Sequence, residues 1–171
     1  MSQFLWAQPS LPSLEGHWIQ PCQTQATREE AFHGQDVTLS ENYFYKPDCS
    51  QPLMTIGNLG TFTIDGQNMD FTYQKVTITL KDDLMIQDFN SRTVCGFYDW
   101  KLNEERNVTG LRCAIITGGK ALQMATPGNK RFGIYKIEGD LLYFGRLEPD
   151  HDALSPEKRP ITFDPRYYIK Q

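Results

Sequence analysis

The chain has 171 residues and a mass of 19.7 kDa, the size of one domain with a substantial core. Aromatic residues make up 12%, too many for a disordered chain, and no run approaches the ~20 apolar residues of a membrane-spanning helix. A net charge of −4 and a pI near 5.4 argue against a phosphate-binding surface, so nucleic acid is not an expected partner.

Residues 1–13 contain Pro9 and Pro12 and read as an irregular lead-in. Their one apolar run, Phe4-Leu5-Trp6-Ala7, is too short for a signal-peptide core and follows no basic residue. An exported protein would then have lost its leader ahead of this sequence. Residues 14–171 show no composition break and are expected to form a single domain.

From there short strands dominate. His17–Gln23 is the first candidate. Val37–Leu39 and Tyr43–Tyr45 make a second, interrupted one, followed by Leu53–Ile56 and Gly60–Ile64. Asp65-Gly66 is a hairpin turn, because Gly accepts the positive φ that a tight turn requires. Met69, Phe71 and Tyr73 alternate; the phase slips near Lys75 and resumes at Val76, Ile78 and Leu80, which predicts a bulge. Asp82–Arg92 is the one candidate helix, with Asp82 or Asp83 as its cap. Strands are expected again over Cys95–Leu102, Thr109–Ile116 and Ala121–Ala125. Phe132–Ile137 and Leu141–Arg146 form a hairpin around Glu138-Gly139-Asp140. Glu148–Arg159 reads as a long loop. Ile161–Ile169 closes the pattern, with Pro160 and Pro165 confining it to an edge or interrupting it. Roughly eight to ten strands with one short helix predict an all-β antiparallel barrel or sandwich.

Four cysteines, Cys22, Cys49, Cys95 and Cys113, are dispersed with no C-x-x-C pair, which disfavours a zinc site. Their even number suits two disulfides, with four buried free thiols as the alternative. Sequence alone does not select among the possible connectivities. Cys22–Cys49 with Cys95–Cys113 is favoured because sequential pairing staples neighbouring elements of a meander.

No motif for catalysis stands out. No G-x-S-x-G surrounds a serine, and His17, His33 and His151 are isolated from one another. Gly118-Gly119-Lys120 misses the phosphate-loop pattern at Ala114 and Ala121. Asp150-His151-Asp152, near Glu148, is the most ligand-like cluster but fits no calcium loop and reads as a solvated acidic loop. Neither metal nor cofactor is expected, and the chain is not expected to be an enzyme. Cys95-Gly96-Phe97-Tyr98-Asp99-Trp100 is unusually aromatic. It reads either as core packing around a disulfide or as the lining of an apolar site with Asp99 as an orienting group.

Gly16-His17-Trp18 resembles the G-x-W signature of lipocalins and their calycin relatives. In that superfamily the Trp packs across the closed end of an antiparallel barrel, often against a late Arg; Arg159 or Arg166 would take that part here. The run Gly16-His17-Trp18, Cys22, Arg28, Phe32, Tyr43–Tyr45, Cys49, Pro52 and Gly60 resembles the extracellular module of the adenomatosis-polyposis-coli-down-regulated family, a secreted Wnt-antagonist group with a lipid-binding, lipocalin-like barrel. Cys95–Asn103, Val108–Cys113 and Arg159–Thr162 are similar to a group of exported bacterial proteins. The resemblance implies a lipocalin-like barrel, a secreted or periplasmic location and two disulfides.

The expected function is therefore the binding of an apolar small molecule such as a fatty acid or lipid. Phe62, Phe71, Phe97 and Tyr135 are the expected lining, with Asp99 as the polar group. The alternative is a protein-interaction or inhibitor module with a filled barrel, using Glu148–Arg159 and Asn103–Asn107 as contact loops.

Overall fold

The computed structural model describes residues 13–171, so all of the expected lead-in except Ser13 lies outside the described residues. Strands β1 (Gly16–Gln23), β2 (Ala26–His33), β3 (Asp36–Phe44), β4 (Pro52–Asp65) and β5 (Asn68–Leu80) run as consecutive antiparallel hairpins. Helix α1 (Asp83–Ser91) and three very short strands follow: β6 (Glu105–Asn107), β7 (Arg112–Cys113) and β8 (Leu122–Gln123). Strands β9 (Lys130–Glu138), β10 (Leu141–Gly145) and β11 (Phe163–Lys170) complete the order. β9 pairs with β5, and β11 returns to β1, so β1–β5 and β9–β11 close into an eight-stranded antiparallel barrel. Closure satisfies the backbone groups that an open sheet would leave at its edges.

The turn chemistry explains the meander. Gly66 and Gly139 sit at φ +59° and +62° in the β4–β5 and β9–β10 hairpins, a left-handed backbone conformation that L side chains rarely adopt. The expected phase slip is present. Leu59 pairs with Lys75 but Gly60 pairs with Tyr73, leaving Gln74 as the extra residue of a bulge. Gly60 suits that point because a Cβ there would lie 2.2 Å from the Thr72 carbonyl oxygen and 2.6 Å from the Phe71 ring.

Several expectations need correction. The stretch 26–33 is a full strand, although its Arg28-Glu29-Glu30 run hides the alternation. Residues 36–44 form one continuous strand, β3, rather than two pieces, and Tyr45 lies just beyond its end. β11 is not an edge: it lies between β10 and β1, and Pro165 falls within a register shift between Tyr143 and Gly145 of β10. Cys95–Leu102 is not a strand. Thr93 and Cys95 take left-handed φ values of 53° and 55°, and a single tight turn spans Val94–Gly96. Between Thr109 and Ala125 only β7 and β8 are extended, as a two-residue ladder.

Two apolar cores result. The first fills one end of the barrel with Trp18, Phe32, Val37, Phe62, Phe71 and Leu142. The second packs α1 and the loops after it against Val76, Ile78 and Leu80 of β5, around Phe89 and Trp100. Phe89 and Trp100 meet edge to face at 5.4 Å, an arrangement that adds to their area burial. Tyr73 touches both cores.

Covalent and polar ties hold the peripheral segments. Cys22–Cys49 joins β1 to the β3–β4 loop, and Cys95–Cys113 joins the turn after α1 to β7. Asp82 caps α1 through the Met85 N–H at 3.0 Å, as its position predicts. At the other end Arg92 pairs with Asp88 and donates to the carbonyl oxygens of Ala114 and Ile115, tying α1 to the segment after β7.

Candidate functional site

Strand periodicity places alternate residues of each barrel strand on the inner face. Register then assembles them into layers. Trp18, Glu30 and Leu39 pair across β1, β2 and β3, and Gln20, Arg28 and Glu41 form the next layer outward. The inner face is therefore apolar toward one end and charged toward the other.

A cavity of about 620 Å³ opens along this gradient. That volume lies within the ordinary range of small-molecule sites. Its apolar floor is aromatic. Phe32 meets Phe62 edge to face at 5.1 Å, Phe71 meets Tyr73 at 4.6 Å, and Phe144 meets Tyr168 at 5.2 Å. Trp18 lies beneath, wholly buried, and its indole N–H donates to the Leu14 carbonyl oxygen at 2.7 Å. The cation over the Trp18 ring is Lys170, with Nζ 5.2 Å from the centroid. Neither Arg159 nor Arg166 takes that place. Arg159 is drawn instead to Asp70 and the Gly133 carbonyl oxygen, and Arg166 to Asp164.

The charged end carries a paired network. Arg28 Nε donates to Glu41 Oε1 at 2.6 Å, and the Tyr43 hydroxyl donates to Glu41 Oε2 at 2.7 Å. Burial and the Glu41 carboxylate together push the Tyr43 hydroxyl well above its ordinary pKa. Arg166 Nε donates to Asp164 Oδ1 at 2.9 Å and holds that carboxyl below the usual range. Arg131 and Arg146 lie at the rim, the first donating to the Asp152 carbonyl oxygen at 3.1 Å.

Glu30 stands apart from this pairing. It is buried on the cavity wall, and its Oε2 has no hydrogen-bond partner. Burial pushes its carboxyl up to about 8, against the Tyr168 hydroxyl and the Arg28 charge, which both favour the ionised form. The same burial, with Glu30 alongside, raises the Tyr168 hydroxyl.

The residues expected at the site separate into two groups. Phe71 lies on the cavity wall, whereas Phe62 packs in the core behind it and Tyr135 is half-buried against the same core, neither of them lining the cavity. Phe97 and Asp99 lie outside the barrel, beside the second core. The Arg106 guanidinium sits 4.7 Å from the Phe97 ring and 5.3 Å from the Trp100 ring, and pairs with Asp99. That hydrogen bond lowers the Asp99 carboxyl. Asp99 thus fixes an arginine over two rings rather than facing the cavity. Glu30, Arg28, Tyr168 and Arg166 were missed as cavity residues. The available signal was Arg28-x-Glu30-x-Phe32, a period of two in which charge replaces the apolar phase.

The acidic loop is occupied by its own contacts. His151 Nδ1 lies 2.9 Å from the Arg159 carbonyl oxygen, and Asp152 Oδ2 lies 3.3 Å from Lys158 Nζ. Among the described residues, no group of three His, Cys, Asp or Glu side chains is disposed to hold a metal ion, and no helix is long and apolar enough to cross a membrane. No protein-family model matches the chain, and no curated protein matches its sequence.

Proposed function

We propose that this protein is a non-enzymatic carrier, working outside the cytoplasm, that holds an apolar small molecule such as a fatty acid or lipid inside a lipocalin-like barrel. The observation that carries the reading is the cavity of about 620 Å³ running from a polar mouth to an aromatic floor. Two disulfides support an oxidising compartment. Binding works by removing an alkyl chain from water. At ~0.8 kcal/mol per methylene, a chain of about ten carbons contributes about 8 kcal/mol before the cost of immobilisation, and a longer chain contributes proportionally more.

The test is extraction of the purified protein with organic solvent followed by mass spectrometry, together with titration of a fluorescent fatty acid. A co-purifying lipid or saturable uptake of the probe is the expected result. A lipid-free protein that leaves the probe in solution would remove the carrier reading.

A protein partner is a second reading, supported by Leu147, Leu154 and Ile161, which stand exposed in and beside the β10–β11 loop. A pull-down whose yield depends on those three side chains, from a protein that takes up no probe, would favour it.

A further inference from the structure

The cavity contains one polar group that its own protein leaves incomplete. Glu30 is 8% exposed, and its Oε2 is buried and unpartnered. A buried polar atom in that state is costly until something completes it. Every neighbouring charge is already engaged. Arg28 on the same strand is paired with Glu41 of β3, and Arg166 of β11 is paired with Asp164. Trp18 of β1 and Leu39 of β3, its register partners, offer no charge, and nearby Gln20 is neutral. Tyr168 of β11 remains as the one hydroxyl beside it.

With burial holding it protonated to about pH 8, Glu30 meets the Tyr168 hydroxyl on one side, and its unpartnered Oε2 is the oxygen left to present an O–H. The missing partner is then a hydrogen-bond acceptor. Four guanidinium groups, of Arg28, Arg131, Arg146 and Arg166, line the cavity against the three carboxylates of Glu29, Glu41 and Asp164, so with Glu30 neutral the lining keeps one positive charge in excess and favours an anion over a cation. A carboxylate meets both requirements.

We propose that the cavity selects amphiphiles with a carboxylate head, held by the Glu30 O–H beside Arg28, with the tail on the aromatic floor. This rests on the carrier reading and specifies its ligand. The two carboxyl groups share one proton, as close carboxyl pairs do elsewhere. No bond to carbon changes. When Glu30 loses its proton the two like charges repel, and the ligand is released.

The test compares decanoate, decanol and decylamine by calorimetric titration from about pH 6 to about pH 9, with the native protein and with Glu30→Gln. The proposal expects native protein to bind decanoate at least about tenfold more tightly than decanol at the lower pH, and to reject decylamine. Affinity for decanoate should fall about tenfold per pH unit above about 8. Glu30→Gln, which keeps a donor but no proton to lose, should hold decanoate across the range. Infrared spectra of the native protein give a readout independent of the variant. A protonated-carboxyl band should persist at neutral pH and shift when decanoate is added. Equal binding of decanol and decanoate, preference for decylamine, a flat native pH profile or an unshifted band would each overturn the proposal while the carrier reading stands. Failure to bind any of the three would overturn both.

Discussion

In the unfolded chain Glu30 titrates near the ordinary value of 4.5, and in the folded barrel burial moves it to about 8. Between those values the folded protein holds a proton that the unfolded chain has released. This group's contribution is therefore fully present below about pH 4.5, declines as pH rises through the interval, and is lost above about 8. Asp164 behaves oppositely. Its lowered pKa gives stability that is present at neutral pH and lost as pH falls through the folded value. Urea unfolding at about pH 5 and about pH 9 should show the native protein losing stability toward the alkaline end, by up to a few kcal/mol, relative to Glu30→Gln. Equal changes in the two proteins would mean that Glu30 is not buried in its neutral form. The same residue shows why the site was hard to read in advance. Charged side chains facing into a barrel break the apolar alternation that identifies a strand, so Arg28 and Glu30 concealed both β2 and the cavity mouth.

Strands and turns were the most legible elements, for reasons that can be named. Asp65-Gly66 and Glu138-Gly139-Asp140 carry the positive-φ glycine that a hairpin requires, and the β4–β5 bulge left its mark as a slipped phase. Cys95–Leu102 misled because aromatic residues favour strands, whereas its path is set by left-handed Thr93 and Cys95, by the Cys95–Cys113 bond and by the Trp100 indole donating to the Val94 carbonyl oxygen at 3.2 Å. Those are tertiary constraints with no local signature. Helix α1 was legible because its cap is local. It is nine residues long and depends on Asp82 at one end and Arg92 at the other. Replacing Asp82 by Ala should cost about 1 kcal/mol of stability, read as a lower urea midpoint with an unchanged slope. The cavity should be untouched, so retention of a bound fluorescent fatty acid is the control. A variant as stable as the native protein would show that the Asp82–Met85 bond contributes nothing net.

At the scale of the whole molecule, one barrel supports two cores, and the long β4–β5 hairpin belongs to both through Tyr73. The closure between β1 and β11 joins residues far apart in the chain, such as Trp18 and Lys170, so it gains its contacts only after a long loop closes. The second core is knit by shorter-range links, including Cys95–Cys113. Each core holds one tryptophan, Trp18 in the first and Trp100 in the second, and each indole is hydrogen-bonded to a backbone carbonyl. The chain's third tryptophan, Trp6, lies outside the described residues. Nature has thus installed two optical reporters, one per compartment. With Trp6 replaced by Phe, emission from Trp18 alone and from Trp100 alone should trace a single superimposable denaturation curve while the sulfurs are joined. After reduction the Trp100 signal should depart first, as the outer lobe melts off a barrel that still glows unchanged.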